Sequence, residues 1–139
     1  MRVFLDTNVL VSAFATRGLC AELLRTILAE HQLVLGEAVL TELGRVLATK
    51  MKVPSQTVAE TDAFLRQEAA VISHSQDLDL DIRDPDDIVV VAQAIEGLAD
   101  VLITGDRDLL DIAEALPLNV LSPRDGWELL QRRGKPGAS

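Results

Sequence analysis

Cysteine, aromatic residues and long apolar runs are what this sequence has least of, and each scarcity closes off a class of protein. The single cysteine, Cys20, can form neither an internal disulfide nor a thiolate metal cage. With aromatics at 3% and no tyrosine, the core has to be built from Leu, Val, Ile and Ala. No apolar run approaches the roughly 20 residues that cross a bilayer. The opening MRVFLDTN lacks the apolar segment and small-residue cleavage site of a signal peptide. No G-x-x-x-x-G-K-S/T or G-x-G-x-x-G pattern occurs, so nucleoside-triphosphate and dinucleotide binding lose support. His31 and His74 are isolated, without the spacing of a metal or triad site. These absences lead to the expectation of a cytoplasmic protein with no membrane contact.

What is present fits one domain. The chain has 139 residues, 48% hydrophobic and 25% charged, which suits a soluble fold with a real core. The expected domain runs over residues 1–133, with 134–139 (GKPGAS) as a disordered tail. The balance of 22 acidic against 13 basic residues gives a net charge of −9. Nucleic-acid binders are usually basic, so charge alone argues against such a partner. Bound metal would cancel part of that excess, so the balance neither excludes nor supports a nuclease. It also makes an empty acidic site attractive to a cation, such as an arginine of a partner protein. Arg132, Arg133 and Lys135 make a small basic end, read as a solvated terminus.

Strand and helix signals alternate. Strands are expected at Arg2–Leu5, Gln32–Leu35, Val71–Ile72, Val101–Thr104 and Asn119–Leu121. Helices are expected at Ala21–Glu30, Glu37–Thr49, Pro54–Ala69, Asp84–Glu96, Asp106–Leu116 (mostly) and Pro123–Arg132, where Trp127 packs the last helix onto the sheet. Residues 73–83 read as an irregular polar connector. The alternation predicts βαβ units, a parallel sheet and helices on both faces.

Four acids sit where apolar runs stop or helices begin: Asp6, Glu42, Asp87 and Asp106. In a parallel α/β sheet the carboxyl ends of neighbouring strands form one crevice that takes ligands. Carboxylates gathered there repel one another unless a cation lies between them, and the simplest is Mg²⁺ or Mn²⁺. Asp6 opens D-T-N, which in isolation would only be a turn; Asn8 and Ser12 stand close enough to hold its carboxylate or a bound water. Glu42 lies on the border of the stripe Val39, Leu40, Leu43, Val46 and Leu47. It reads equally as a side chain reaching water and as a carboxylate that needs a partner. In Asp84-Pro85-Asp86-Asp87, Asp84 is the expected N-cap and Pro85 the first helical residue, which gives Asp84 and Asp86 structural roles. Asp87 meets the core, and the helix dipole is expected to keep it ionised. Gly105 permits a sharp turn that sets Asp106 at a strand end. Asp108 is an alternative ligand or the cap of the following helix, and Asp84 a further candidate.

The segments FLDTNVLVSAF, TELGRVL, RDPDDIVVVAQA, VLITGDRDLL and LSPRDGWELL, in that order over roughly residues 1–131, resemble the PIN-domain ribonucleases, particularly the prokaryotic VapC-like toxins of toxin–antitoxin pairs. The resemblance implies a three-layer α/β/α sandwich around a parallel sheet of about five strands. It implies an acidic quartet at Asp6, Glu42, Asp87 and Asp106, with Asn8 and Thr104 as supporting residues. It also implies hydrolysis of RNA with Mg²⁺ or Mn²⁺, and a small antitoxin that inhibits by occupying the acidic groove. A homodimer stays open. Ile88-Val89 depart from a polar Asn-Lys common after DPDD in such relatives. Two other readings compete. A phospho-receiver module would need an acidic pair at the start and a late lysine, and the chain has neither. A catalytically inert PIN-fold protein-binding module is opposed by the intact quartet.

Overall fold

The computed structural model describes residues 1–134, and side chains as far as residue 132. Five strands form one sheet: β1 (Arg2–Leu5), β2 (Gln32–Gly36), β3 (Ala70–Ile72), β4 (Val101–Ile103) and β5 (Asn119–Leu121). Their order is β3-β2-β1-β4-β5 and every pairing is parallel. Central β1 pairs Phe4 with Val34 of β2 and Leu5 with Ile103 of β4. Successive strand residues point to opposite faces, yet Val3, Phe4 and Leu5 are all fully buried. Helices therefore cover both faces of the sheet, which is why these strands read as continuous apolar runs. The result is the expected three-layer α/β/α sandwich.

Seven helices connect and cover the strands: α1 (Thr7–Ala15), α2 (Leu19–Glu30), α3 (Glu37–Thr49), α4 (Ser55–Glu68), α5 (Pro85–Glu96), α6 (Arg107–Asp111) and α7 (Pro123–Gly134), with a 3₁₀ turn at Ala113–Ala115. α2 stacks on α7, α3 on α4, and α5 on β2. One core cluster runs from Val3 to Leu130 and is almost wholly aliphatic, with Phe4 its one buried aromatic and Trp127 packed at its margin. Of the expected tail, Gly134 closes α7 and residues 135–139 lie outside the described residues.

Two local results differ from expectation. No helix was expected before Ala21, but α1 begins directly after β1, capped by Asp6, whose side chain accepts from Thr7 N. The stretch expected to be mostly helical after Asp106 splits into α6 and the 3₁₀ turn. The connector 73–83 has no regular structure, as expected, though Leu78, Leu80 and Ile82 pack on the core while Asp77, Asp79 and Asp81 face solvent.

A hidden joint sets the spacing of the site walls. Gln93 of α5 is buried, and its Oε1 accepts from the Ala38 backbone N–H at 3.2 Å, satisfying one of the free donors that begin α3. It can do so because Gly36 has no side chain: a Cβ there would lie 2.6 Å from Gln93 Cδ and 2.9 Å from its Cβ.

Candidate active site

Order β3-β2-β1-β4-β5 reverses direction between β1 and β4, and ligands of open α/β sheets bind beyond the carboxyl ends at such a reversal. The first residues past those ends are Asp6 and Thr104. Asp6 N donates to Ile103 O, which continues the ladder one step into the crevice. Asp6 is only 5% exposed. One carboxylate oxygen, Oδ1, accepts from Thr7 N at 2.8 Å. The other, Oδ2, accepts from Thr104 Oγ1 at 2.8 Å and from Asn8 Nδ2 at 3.3 Å. The Thr104 hydroxyl also accepts from Asp106 N at 3.0 Å, and Asn8 Oδ1 accepts from Gly105 N at 2.8 Å. The start of α1 and the turn after β4 are thus stitched together by two side chains, and Asp6 is held between them.

Asp106 caps α6, its Oδ1 accepting from Asp108 N at 2.9 Å. Asp108 is therefore not the cap; it is exposed and off the cavity wall. Asp84 caps α5 through Asp86 N, with Pro85 first in the helix. Asp87 follows in that first turn, facing inward.

A cavity of about 900 Å³ opens here. It is lined by Asp6, Asn8 and Ser12 of the β1–α1 segment, Glu37 and Glu42 of α3, Asp84, Asp86 and Asp87 of α5, and Asp106, with Val11, Val46, Val89 and Val90 among its apolar walls. Asp6, Asp87 and Asp106 act on one another. Burial raises the Asp6 carboxyl above its ordinary value, helped by the negative charge of Asp106, while its hydrogen bonds pull the other way. Asp87 is pushed up to about 7, first by burial, then by the charge of Asp106 and a hydrogen bond with its carboxyl, then by Asp84 and Asp6. The α5 dipole was expected to keep Asp87 ionised; burial first, and then the neighbouring carboxylates, outweigh it.

Glu42 behaves differently. It lines the same cavity, but both its oxygens are taken by Arg45, at 3.0 Å from Nε and 2.6 Å from Nη2, and that contact lowers its carboxyl. Glu37 is held likewise by Arg66, which also binds Asp62. Ser12 lines the cavity without bonding Asp6; Thr104 and Asn8 do that instead. Residues not foreseen are Glu37 on the wall and Gln93 behind it.

These positions fit a hard divalent ion in kind: all donors are oxygens, and the carboxyls of Asp6 and Asp87, raised first by burial and then by neighbouring carboxylates, are groups whose charged form a cation would favour. Among the described residues, no three His, Cys, Asp or Glu side chains form a ready-made cage. A Mg²⁺ site of this kind keeps several water ligands and needs few from protein.

Asp87 makes a pH prediction for protein kept in EDTA. Its folded pKa of about 7 exceeds the ordinary value of 3.8, so the folded state binds more protons between those values. Stability from this group is then present at low pH and is lost as pH rises toward about 7. The melting temperature of wild type should fall relative to Asp87→Asn across that window and run parallel above it. Glu37 and Glu42, with lowered carboxyls, act in the opposite sense but cancel in the comparison. A constant difference between the two proteins would mean that the Asp87 carboxyl is not raised in the folded state.

An open parallel sheet with carboxylates gathered at its reversal point defines a doubly wound α/β protein with an acidic crevice. The family model described as PIN domain matches residues 2–108, and the chain belongs to that family. No curated protein matches it by sequence. The fold is similar to a chain of VapBC2 from Rickettsia felis, solved bound to a DNA fragment from their promoter (19% identity, 88% of this chain and 98% of that chain, TM-score 0.63). It is also similar to VapBC-1 from nontypeable Haemophilus influenzae (17% identity, 89% and 99%, TM-score 0.63).

Proposed function

We propose that this protein is a divalent-metal-dependent endoribonuclease and the toxin member of a toxin–antitoxin pair, acting in the cytoplasm. The observation that carries the reading is the convergence of Asp6, Asp87 and Asp106, from three separate connections, on one cavity at the reversal of the sheet. Membership of the PIN family supports the nuclease class, and the likeness to two VapBC structures supports an antitoxin partner. No helix among the described residues is long and apolar enough to cross a membrane.

Asp6, Asp87 and Asp106 would hold Mg²⁺ or Mn²⁺, and Glu42 would join on release from Arg45. When bound, the ion supplies Lewis acidity and a readily deprotonated water. Thr104 and Asn8 fix Asp6 so that its carboxylate keeps one orientation. With an ion bound, Asp87 would be held in its charged form and would serve as an oxygen ligand. The apolar walls Val11, Val46, Val89 and Val90 limit water around the scissile phosphodiester.

The metal is tested by stability. Millimolar Mn²⁺ should raise the melting temperature of wild type, because a cation relieves the repulsion and binds only the folded state. Asp6→Asn should respond less. Equal shifts would place the ion elsewhere. A second reading, an inert PIN-fold protein-binding module, is favoured by the Glu42–Arg45 pairing and the lack of a ready-made cage. Absence of any Mn²⁺ response in wild type would select it.

A further inference from the structure

Among the described residues, no lysine or arginine lines the acidic cavity. On a chain of net charge −9, a phosphate-bearing strand entering it meets no cationic wall. Three arginines nevertheless stand next in the chain to lining residues: Arg17 follows Thr16, Arg83 precedes Asp84, and Arg107 follows Asp106. They come from three different places, the α1–α2 turn, the connector 73–83 and the start of α6. All three are exposed, and none is in an ion pair among the described residues. That freedom is unexpected, since Arg83 adjoins Asp84 and Arg107 lies between Asp106 and Asp108. Arg25, Arg45 and Arg66, by contrast, are each engaged by a glutamate, while Arg124 and Arg132 on α7, also in no ion pair among the described residues, adjoin no lining residue. A guanidinium left unpaired beside acids keeps its fork of donors available for a phosphate, the group whose geometry it matches best.

We propose that Arg17, Arg83 and Arg107 form a cationic rim that grips the phosphate backbone of an RNA strand across the mouth of the cavity. The inference rests on the ribonuclease reading above. Phosphate contacts position a strand without reading its sequence. The rim therefore sets affinity and register, while the acids at the floor act on one phosphodiester.

The test is binding of a fluorescent single-stranded RNA of mixed sequence, followed by anisotropy in EDTA over a range of salt. Wild type is compared with R17Q/R83Q/R107Q and with an equal-charge control, R25Q/R124Q/R132Q, on helices α2 and α7. Each phosphate contact on a single strand contributes about 0.7 to the slope of log affinity against log salt. The rim variant should lose about two units of slope, and affinity at ~0.1 M salt should drop on the order of a hundredfold. The control should stay close to wild type, and the rim variant should keep the wild-type rise in melting temperature with Mn²⁺. Equal weakening of both variants would show diffuse charge at work and overturn the rim. Unchanged binding by the rim variant, or loss of its Mn²⁺ response, would overturn it too. In either case wild-type cleavage of RNA would still stand. A wild type that neither binds nor cuts RNA overturns the nuclease reading and the rim together.

Discussion

Asp6→Asn should abolish metal-dependent RNA cleavage, by roughly a hundredfold or more, in a protein that melts no lower than wild type in EDTA. The magnitude follows from position: losing groups that merely support a metal ligand costs about 10- to 100-fold, and Asp6 is assigned as a ligand itself. Stability should survive for a separate reason. Asn keeps one acceptor oxygen, for Thr7 N, and its amide N–H can donate to the Thr104 hydroxyl, while the charge that burial and Asp106 disfavour is gone. Asp87→Asn should be equally inactive, because it removes the second carboxylate of the same group. Asp84→Asn is the contrast within one tetrapeptide. Asp84 lines the cavity but is occupied with capping Asp86 N, and Asn caps a helix about as well as Asp. It should keep most activity and lose at most a few tenths of a kcal/mol. Cleavage of a fluorogenic RNA in Mn²⁺, beside circular dichroism and melting curves, measures all three. An inactive Asp84→Asn with an active Asp87→Asn would shift the ligand assignment to the helix cap.

The second large effect concerns the joint behind the site. Gly36→Ala should destabilise the protein by about 2–4 kcal/mol, combining overpacking with a buried N–H left without a partner. That corresponds to a fall in melting temperature of roughly 10 °C for a chain of this size. The backbone at Gly36 is extended, with φ −105°, so alanine is excluded by what lies opposite and not by conformation. The new methyl would displace the Gln93 side chain and free Ala38 N. Adding Gln93→Ala should recover part of the loss, since two residues in contact do not act independently. Urea unfolding of the two single variants and the double variant measures it. A Gly36→Ala protein within about 2 °C of wild type would mean that Gln93 swings aside at little cost.

The parts of the fold that were legible in the sequence are those written locally. β1, β2 and β4 read as strands because burial on both faces makes them continuous apolar runs, and α5 announced its start with Asp84-Pro85. α1 was not legible: in TNVLVSAFA only Val9 and Leu10 are buried, too few to show a helical period. What fixes it is Asp6, which serves as both cap and cavity acid. Asp6, Asp87 and Asp106 could be singled out because strand ends and helix starts can be located from pattern. The charge state of Asp87 could not, since the helix dipole is a local property, whereas burial and the charges of Asp106 and Asp6 depend on how distant segments pack. The Glu42–Arg45 pair was within reach of helix spacing, at i and i+3. The Gln93–Ala38 bond, spanning 55 residues, left no trace in any local pattern.

Parallel pairing of β1 with β4 has a consequence for synthesis. The bond from Thr104 to Asp6 spans 98 residues, and Asp106 lies beyond it. A ribosome has therefore passed residue 104 before the carboxylates can meet, with chain growth proceeding at roughly 5–20 residues per second. Until the second half of the sheet emerges, β1 has no β4 to pair with and Asp6 lacks the hydroxyl that orients it. Truncated or unfinished chains ending before Thr104 carry an incomplete crevice. The order of the strands thus makes the crevice one of the later features of these residues to form during synthesis.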